Sequence, residues 1–110
     1  MRSATLVAAL SVALGTIGVA TGDQPKSQTH TVTIEGMRFQ PEVLSVAAGD
    51  TIVWVNKDLV PHTATSKAGG FDSKEIEADK SWRHTIRTAG EFAYICTFHP
   101  TMKALLRVEQ

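Results

Sequence analysis

The sequence predicts an all-β domain, an antiparallel sandwich or barrel of short strands, and three observations carry that prediction. Short runs alternate apolar and polar residues, as in Thr31-Val32-Thr33-Ile34, Thr51-Ile52-Val53-Trp54-Val55 and Trp82-Arg83-His84-Thr85-Ile86-Arg87. Gly, Pro and Asp punctuate those runs, in Ala48-Gly49-Asp50 and Ala89-Gly90-Glu91 among others. Heptads and long amphipathic helical periods are absent. Many short strands between such turns argue for a sandwich or barrel.

The first 22 residues stand apart from that pattern. Arg2 precedes a stretch from Ser3 to Gly22 without a charge, mostly apolar through Leu14, and Gly18-Val19-Ala20 closes it with small residues. A basic start, a short apolar stretch and a small-x-small exit describe a secretory signal peptide. The rival reading is a retained anchor, but Gly15, Thr16, Gly18, Thr21 and Gly22 dilute the run below the ~20 strongly apolar residues a spanning helix needs. Residues 1–22 are therefore expected to be cleaved near Ala20 or Gly22, with no cysteine nearby to carry a lipid. Residues 23–29 read as a polar tail, and 30–110 as the domain, placed in the periplasm or outside the cell with no stable membrane association.

Charge and size narrow the function. Eleven Lys+Arg balance eleven Asp+Glu, and losing Arg2 with the leader leaves ten against eleven, a net of −1. There is no basic field for nucleic acid. A folded part of about 80 residues buries little surface, and domains that small often lean on disulfides or a metal. One cysteine cannot make an internal disulfide, so a metal becomes the option to examine.

Along the domain, Pro41 interrupts the approach to Val43-Leu44-Ser45-Val46, as expected at an edge or kink. The Ile52 strand follows the Ala48–Asp50 turn. The charged stretch from Phe71 to Lys80 reads either as a loop or as one helical turn, with Lys74, Glu75, Glu77, Asp79 and Lys80 on a solvated face. Phe92-Ala93-Tyr94-Ile95-Cys96 and Ala104-Leu105-Leu106-Arg107-Val108 complete the strands. Trp54, Trp82, Phe39, Phe92 and Tyr94 are assigned to the core or its edge.

Cys96, His99 and Met102 fall within one short segment, Cys-Thr-Phe-His-Pro-Thr-Met. Composition alone places His at +3 and Met at +6 of a given Cys roughly once in a thousand chains. Pro100 keeps a regular helix from running through the segment, which puts the three on a loop. His62, after Pro61 and just beyond the Ile52 strand, is well placed as a fourth donor. Two His, one Cys and a weak axial Met are the set of a blue-copper site. Copper would hold Cys96 as thiolate and both imidazoles neutral, each free to use its second nitrogen elsewhere. Read singly, Cys96 and Met102 would be core residues. His30 and His84 are read as surface or hydrogen-bonding residues, and Met37 as a core or rim residue with little claim to the metal.

Phe39-Gln40-Pro41, Ala48-Gly49-Asp50, Pro61-His62, Gly90 through Cys96 and His99-Pro100-x-Met102 together resemble the cupredoxin family of blue copper proteins. The short Cys-x-x-His-x-x-Met loop is most similar to the amicyanin branch. The resemblance implies a Greek-key β-sandwich of about seven to eight strands with one type 1 copper at one end. It also implies that His99 is the ligand nearest the surface, where electrons leave. Many relatives carry Asn after the first ligand His, where this chain has Thr63, and Gly two residues past the Met, where it has Ala104. A hydroxyl at Thr63 can still bond the backbone of the other loop.

The function expected is a one-electron carrier cycling Cu(I) and Cu(II) between a redox donor and acceptor, monomeric and not itself an enzyme. An amicyanin-like chain would serve an amine dehydrogenase and a c-type cytochrome. The alternative is copper storage or delivery, which would favour extra Met or His near the site, and only Met37 is on offer. A Cys–His hydrolase would leave Met102 unexplained. A multicopper enzyme would need more histidines than His30 and His84, and zinc fits poorly with a thioether.

Overall fold

The structure, a computed structural model, describes residues 26–110; the expected leader and residues 23–25 of the polar tail lie outside the described residues. Nine strands follow one another: β1 (Thr29–Ile34), β2 (Phe39–Gln40), β3 (Val43–Ala47), β4 (Thr51–Asn56), β5 (Thr65–Ser66), β6 (Phe71–Asp72), β7 (Ser81–Thr85), β8 (Gly90–Ile95) and β9 (Lys103–Glu109). They form two sheets, ordered β2-β1-β4-β7 and β3-β9-β8-β5-β6. The all-β sandwich expected from the alternating runs is what the chain builds. No helix among the described residues is long and apolar enough to cross a membrane.

Alternation decides which side of each strand is buried. In β4, Ile52, Trp54 and Asn56 are buried while Thr51, Val53 and Val55 are half-buried, a period of two. In β9, Ala104, Leu106 and Val108 face the core and Lys103, Arg107 and Glu109 face water. The same alternation buries Val32 and Ile34 on β1 and Tyr94 on β8. Trp54 is the hub of the core. Its ring centroid lies 5.4 Å from Trp82, 5.5 Å from Phe71 and 5.6 Å from Tyr94, and Phe39 meets Tyr94 edge-on at 4.7 Å. Buried aromatics contribute both area and pairwise ring contact.

Pairing is less uniformly antiparallel than the alternation suggests. β1 runs parallel to β4 and β3 runs parallel to β9, whereas β4–β7, β8–β9 and β5–β8 are antiparallel. Parallel neighbours need a crossover. Here β2 and β3 occupy the connection from β1 to β4, as the chain passes from one sheet to the other and back. The 71–80 stretch contains no helical turn: it opens with β6, and Ile76 forms an isolated bridge to His62. Its charged residues Lys74, Glu75, Glu77, Asp79 and Lys80 are exposed as expected, while Ile76 is buried.

Two further expectations meet the structure here. His30 Nε2 lies 2.8 Å from Asp50 Oδ2, which makes it a hydrogen-bonding residue. His84 stacks on Trp82 with ring planes 9° apart, and burial lowers its pKa.

Candidate metal centre

The end of β4 and the loop after it are shaped by one buried amide. Asn56 donates from Nδ2 to the carbonyls of Val60 and Ile76, each at 2.9 Å, and its Oδ1 accepts the Asp58 N–H at 2.9 Å. The backbone of residues 57–61 is thereby looped back onto the end of β4, with most of its side chains exposed. The backbone of His62 is then clamped to Ile76, N to O at 3.1 Å and O to N at 2.7 Å. The His62 ring is fully buried. Its Nε2 lies 2.8 Å from Asp58 Oδ2, which leaves Nδ1 for the interior.

Cys96 directly follows β8 and Lys103 opens β9, so the segment between is the link of a hairpin whose register runs to Ile95 opposite Lys103. Three backbone bonds tighten it: Cys96 N to Met102 O at 3.1 Å, His99 N to Cys96 O at 3.2 Å and Met102 N to His99 O at 2.8 Å. Cys96 and Met102 are buried, whereas His99 is half-buried.

These two segments bring three donors together. Cys96 Sγ lies 3.7 Å from His62 Nδ1 and 3.8 Å from His99 Nδ1, and all three donor atoms lie within 4.8 Å of one another. Donors that each bind one ion at roughly 2.0–2.3 Å in a trigonal set stand about 3.5–4 Å apart. One thiol and two imidazoles at these separations could therefore hold a soft metal. The Cys96 sulfur also receives the Thr63 N–H at 3.3 Å, which fixes its position between the two loops.

Thr63 ties the two loops. Its Oγ1 accepts the Thr97 N–H at 2.9 Å, lies 3.1 Å from Thr97 Oγ1 and receives the Thr65 hydroxyl at 3.0 Å. The hydroxyl bonds the facing backbone, as its position suggested. Ala104 sits buried in β9 without disturbing the ladder to Tyr94.

Asp58 and Asn56 are the contributors that sequence reasoning missed. Asp58 Oδ1 accepts the Gly36 N–H at 2.7 Å and Oδ2 the Met37 N–H at 3.0 Å. Burial pushes its carboxyl up, but the two backbone donors and His62 more than offset this and hold it below its usual value. Met37 is not core: its side chain is exposed at the metal end, where it lines a surface cavity with Met102, and its backbone serves Asp58.

The cupredoxin-like domain model matches residues 5–108. Amicyanin from Paracoccus versutus is 32% identical over 83% of this chain and 72% of its own length. Amicyanin-alpha from Methylorubrum extorquens is 30% identical over 99% of this chain and all of its own length. A Cu(I) structure of an amicyanin variant superposes with a TM-score of 0.67 at 27% identity, covering 72% of this chain and 80% of that one. A copper-containing nitrite reductase from Thermus scotoductus reaches 0.69 at 29% identity, but this chain spans only 25% of it. By fold, by sequence and by its clustered His62, Cys96 and His99, the chain belongs to the cupredoxin family.

Proposed function

We propose that this protein is a one-electron carrier whose type 1 copper is held by His62, Cys96, His99 and Met102. The observation that carries the reading is the cluster of one buried thiol and two imidazoles within 4.8 Å of one another. Copper bound there supplies a Cu(I)/Cu(II) couple. The chain supplies rigidity: Cys96 and His62 are fixed in the core, and the Met102 backbone is bonded to both Cys96 and His99. A donor set that barely moves between oxidation states lets an electron pass with little rearrangement. Met102 would supply a weak thioether donor from the same loop in this reading.

His99 is the half-buried member of the set, so its ring edge is where electrons leave. Leu59, Val60 and Phe98 flank the histidines and are exposed, Leu59 by 93%. Pro61 and Pro100 extend this apolar face. It suits the brief contact of electron-transfer partners, whose interfaces fall at the small end of the range, below about 1,200 Å². The amicyanin likeness makes an amine dehydrogenase and a c-type cytochrome the pair to test. The protein acts as a carrier without catalysing a reaction of its own, after cleavage of residues 1–22 and export to the periplasm.

The deciding experiment is the visible and EPR spectrum of the Cu(II) protein. An intense blue thiolate-to-copper band with a narrow hyperfine pattern is expected, and Cys96→Ser should abolish it. A protein that takes up no copper, or that binds it without colour, would refute the proposal.

A further inference from the structure

The buried imidazole of His62 has one partner for its outer nitrogen, the Asp58 carboxylate at 2.8 Å. A backbone carbonyl would satisfy that N–H equally well and would not require a charge to be desolvated. The chain uses a carboxylate whose side chain is only 15% exposed. It also provides for that charge. Gly36 and Met37 adopt consecutive left-handed conformations, φ 65° and 60°, and both aim their N–H groups at Asp58. Two such adjacent donors make an anion-binding nest. A non-glycine residue there is strained. The Glu35 N–H bonds to the Arg38 carbonyl at 3.0 Å in the tight β1–β2 hairpin, whose twist calls for positive φ at both central residues, and the same turn presents the Gly36 and Met37 N–H groups to Asp58. Asn56 completes the cradle by accepting the Asp58 N–H.

We propose that Asp58 is a positioning residue of the centre: seated in the Gly36–Met37 nest, it fixes the His62 ring with Nδ1 toward Cys96, and its negative charge favours the oxidised metal. The charge acts through the imidazole, making His62 a stronger donor to the more positive ion. The β1–β2 loop thereby becomes part of the metal site without contributing a ligand. This inference rests on the copper reading for its redox half, while the ring-fixing half stands on the protein alone.

The test compares Asp58→Asn, which keeps an acceptor oxygen and removes the charge, with Asp58→Ala, which removes both. In the copper-loaded protein, Asp58→Ala should weaken Cu(II) binding by about 10–100-fold and Cu(I) binding by less. The midpoint potential should rise in both variants, by about 59 mV for each tenfold gap between the two affinities. In the metal-free protein, imidazole ¹⁵N shifts should report a single Nε2–H tautomer for His62 in the parent and in Asp58→Asn, and a mixture in Asp58→Ala. An unmoved potential in Asp58→Asn would overturn the role of the charge. An unmixed tautomer in Asp58→Ala would overturn the positioning role. Should the parent bind no copper, the copper reading fails and the tautomer measurement still decides whether Asp58 sets the ring. Asp58→Asn keeps the hydrogen bond, so it serves if Asp58→Ala does not fold.

Discussion

Thr63 shows how much one hydroxyl can do at the metal end. It accepts the Thr97 N–H across the gap between the two ligand loops, with Thr65 hydrogen-bonded behind it. Thr63→Val keeps the volume and removes the acceptor. It is expected to cost about 1 kcal/mol, at the low end because Thr97 is exposed and water can replace the bond. Urea unfolding of the two proteins side by side measures it, and Thr63→Ser should restore most of the loss. At this scale the candidate ligands were legible because Cys96, His99 and Met102 share one loop and one spacing. Asp58 was not. A carboxylate four positions before a histidine is unremarkable outside a helix, and its donors Gly36 and Met37 lie 22 and 21 residues away. Only the folded chain juxtaposes them.

At the scale of elements, the turns carry more of the architecture than their length suggests. The Ala48-Gly49-Asp50 turn ends in a buried carboxylate that accepts the Gln28 N–H at 2.9 Å, the Ala47 N–H at 3.0 Å and the His30 ring at 2.8 Å. The Gln28 N–H, then His30, then the Ala47 N–H hold its pKa down to about 2 against its own burial. Because the folded value lies below the unfolded one of about 3.9, this carboxylate adds stability above pH 4 and loses it as pH falls through about 2. Asp50→Asn should therefore lower the urea midpoint at pH 7, and the loss of stability between pH 4 and 2 should become shallower. Asn56 plays a comparable part at the far end of β4. Asn56→Ala removes two donated bonds and one accepted one, and about 2–4 kcal/mol of stability should go with them on thermal unfolding. Alternation made β1, β4, β7, β8 and β9 legible beforehand. The strands of two residues each, β2, β5 and β6, are too short to show a period. The parallel pairings were hidden too, since they depend on which sheet a connection crosses to.

Over the whole molecule, a small domain with a buried centre should depend visibly on its metal. Copper held at a thousand times its dissociation constant would stabilise the fold by about 4 kcal/mol. Chelation should accordingly lower the Tm by about 15–30 °C, a shift that calorimetry of loaded and metal-free protein reads directly. Association with a redox partner should respond weakly to salt, because a chain with eleven basic and eleven acidic groups, or ten and eleven without the leader, generates little long-range field. Stopped-flow rates in 0.02 and 0.5 M salt would test that. A tenfold fall in rate would instead reveal a local charge patch.

The position of β9 also governs when the protein can exist at all. It lies between β3 and β8, inside the five-stranded sheet, although it comes after all the other described strands in chain order. Until Lys103–Glu109 emerges, β3 has no neighbour in its sheet and the Cys96–Met102 hairpin has no second arm. This sheet cannot close before Lys103–Glu109 is available, and pairings between such distant segments form slowly. The sheet and the loop that carries Cys96, His99 and Met102 are therefore completed in one event, the docking of β9.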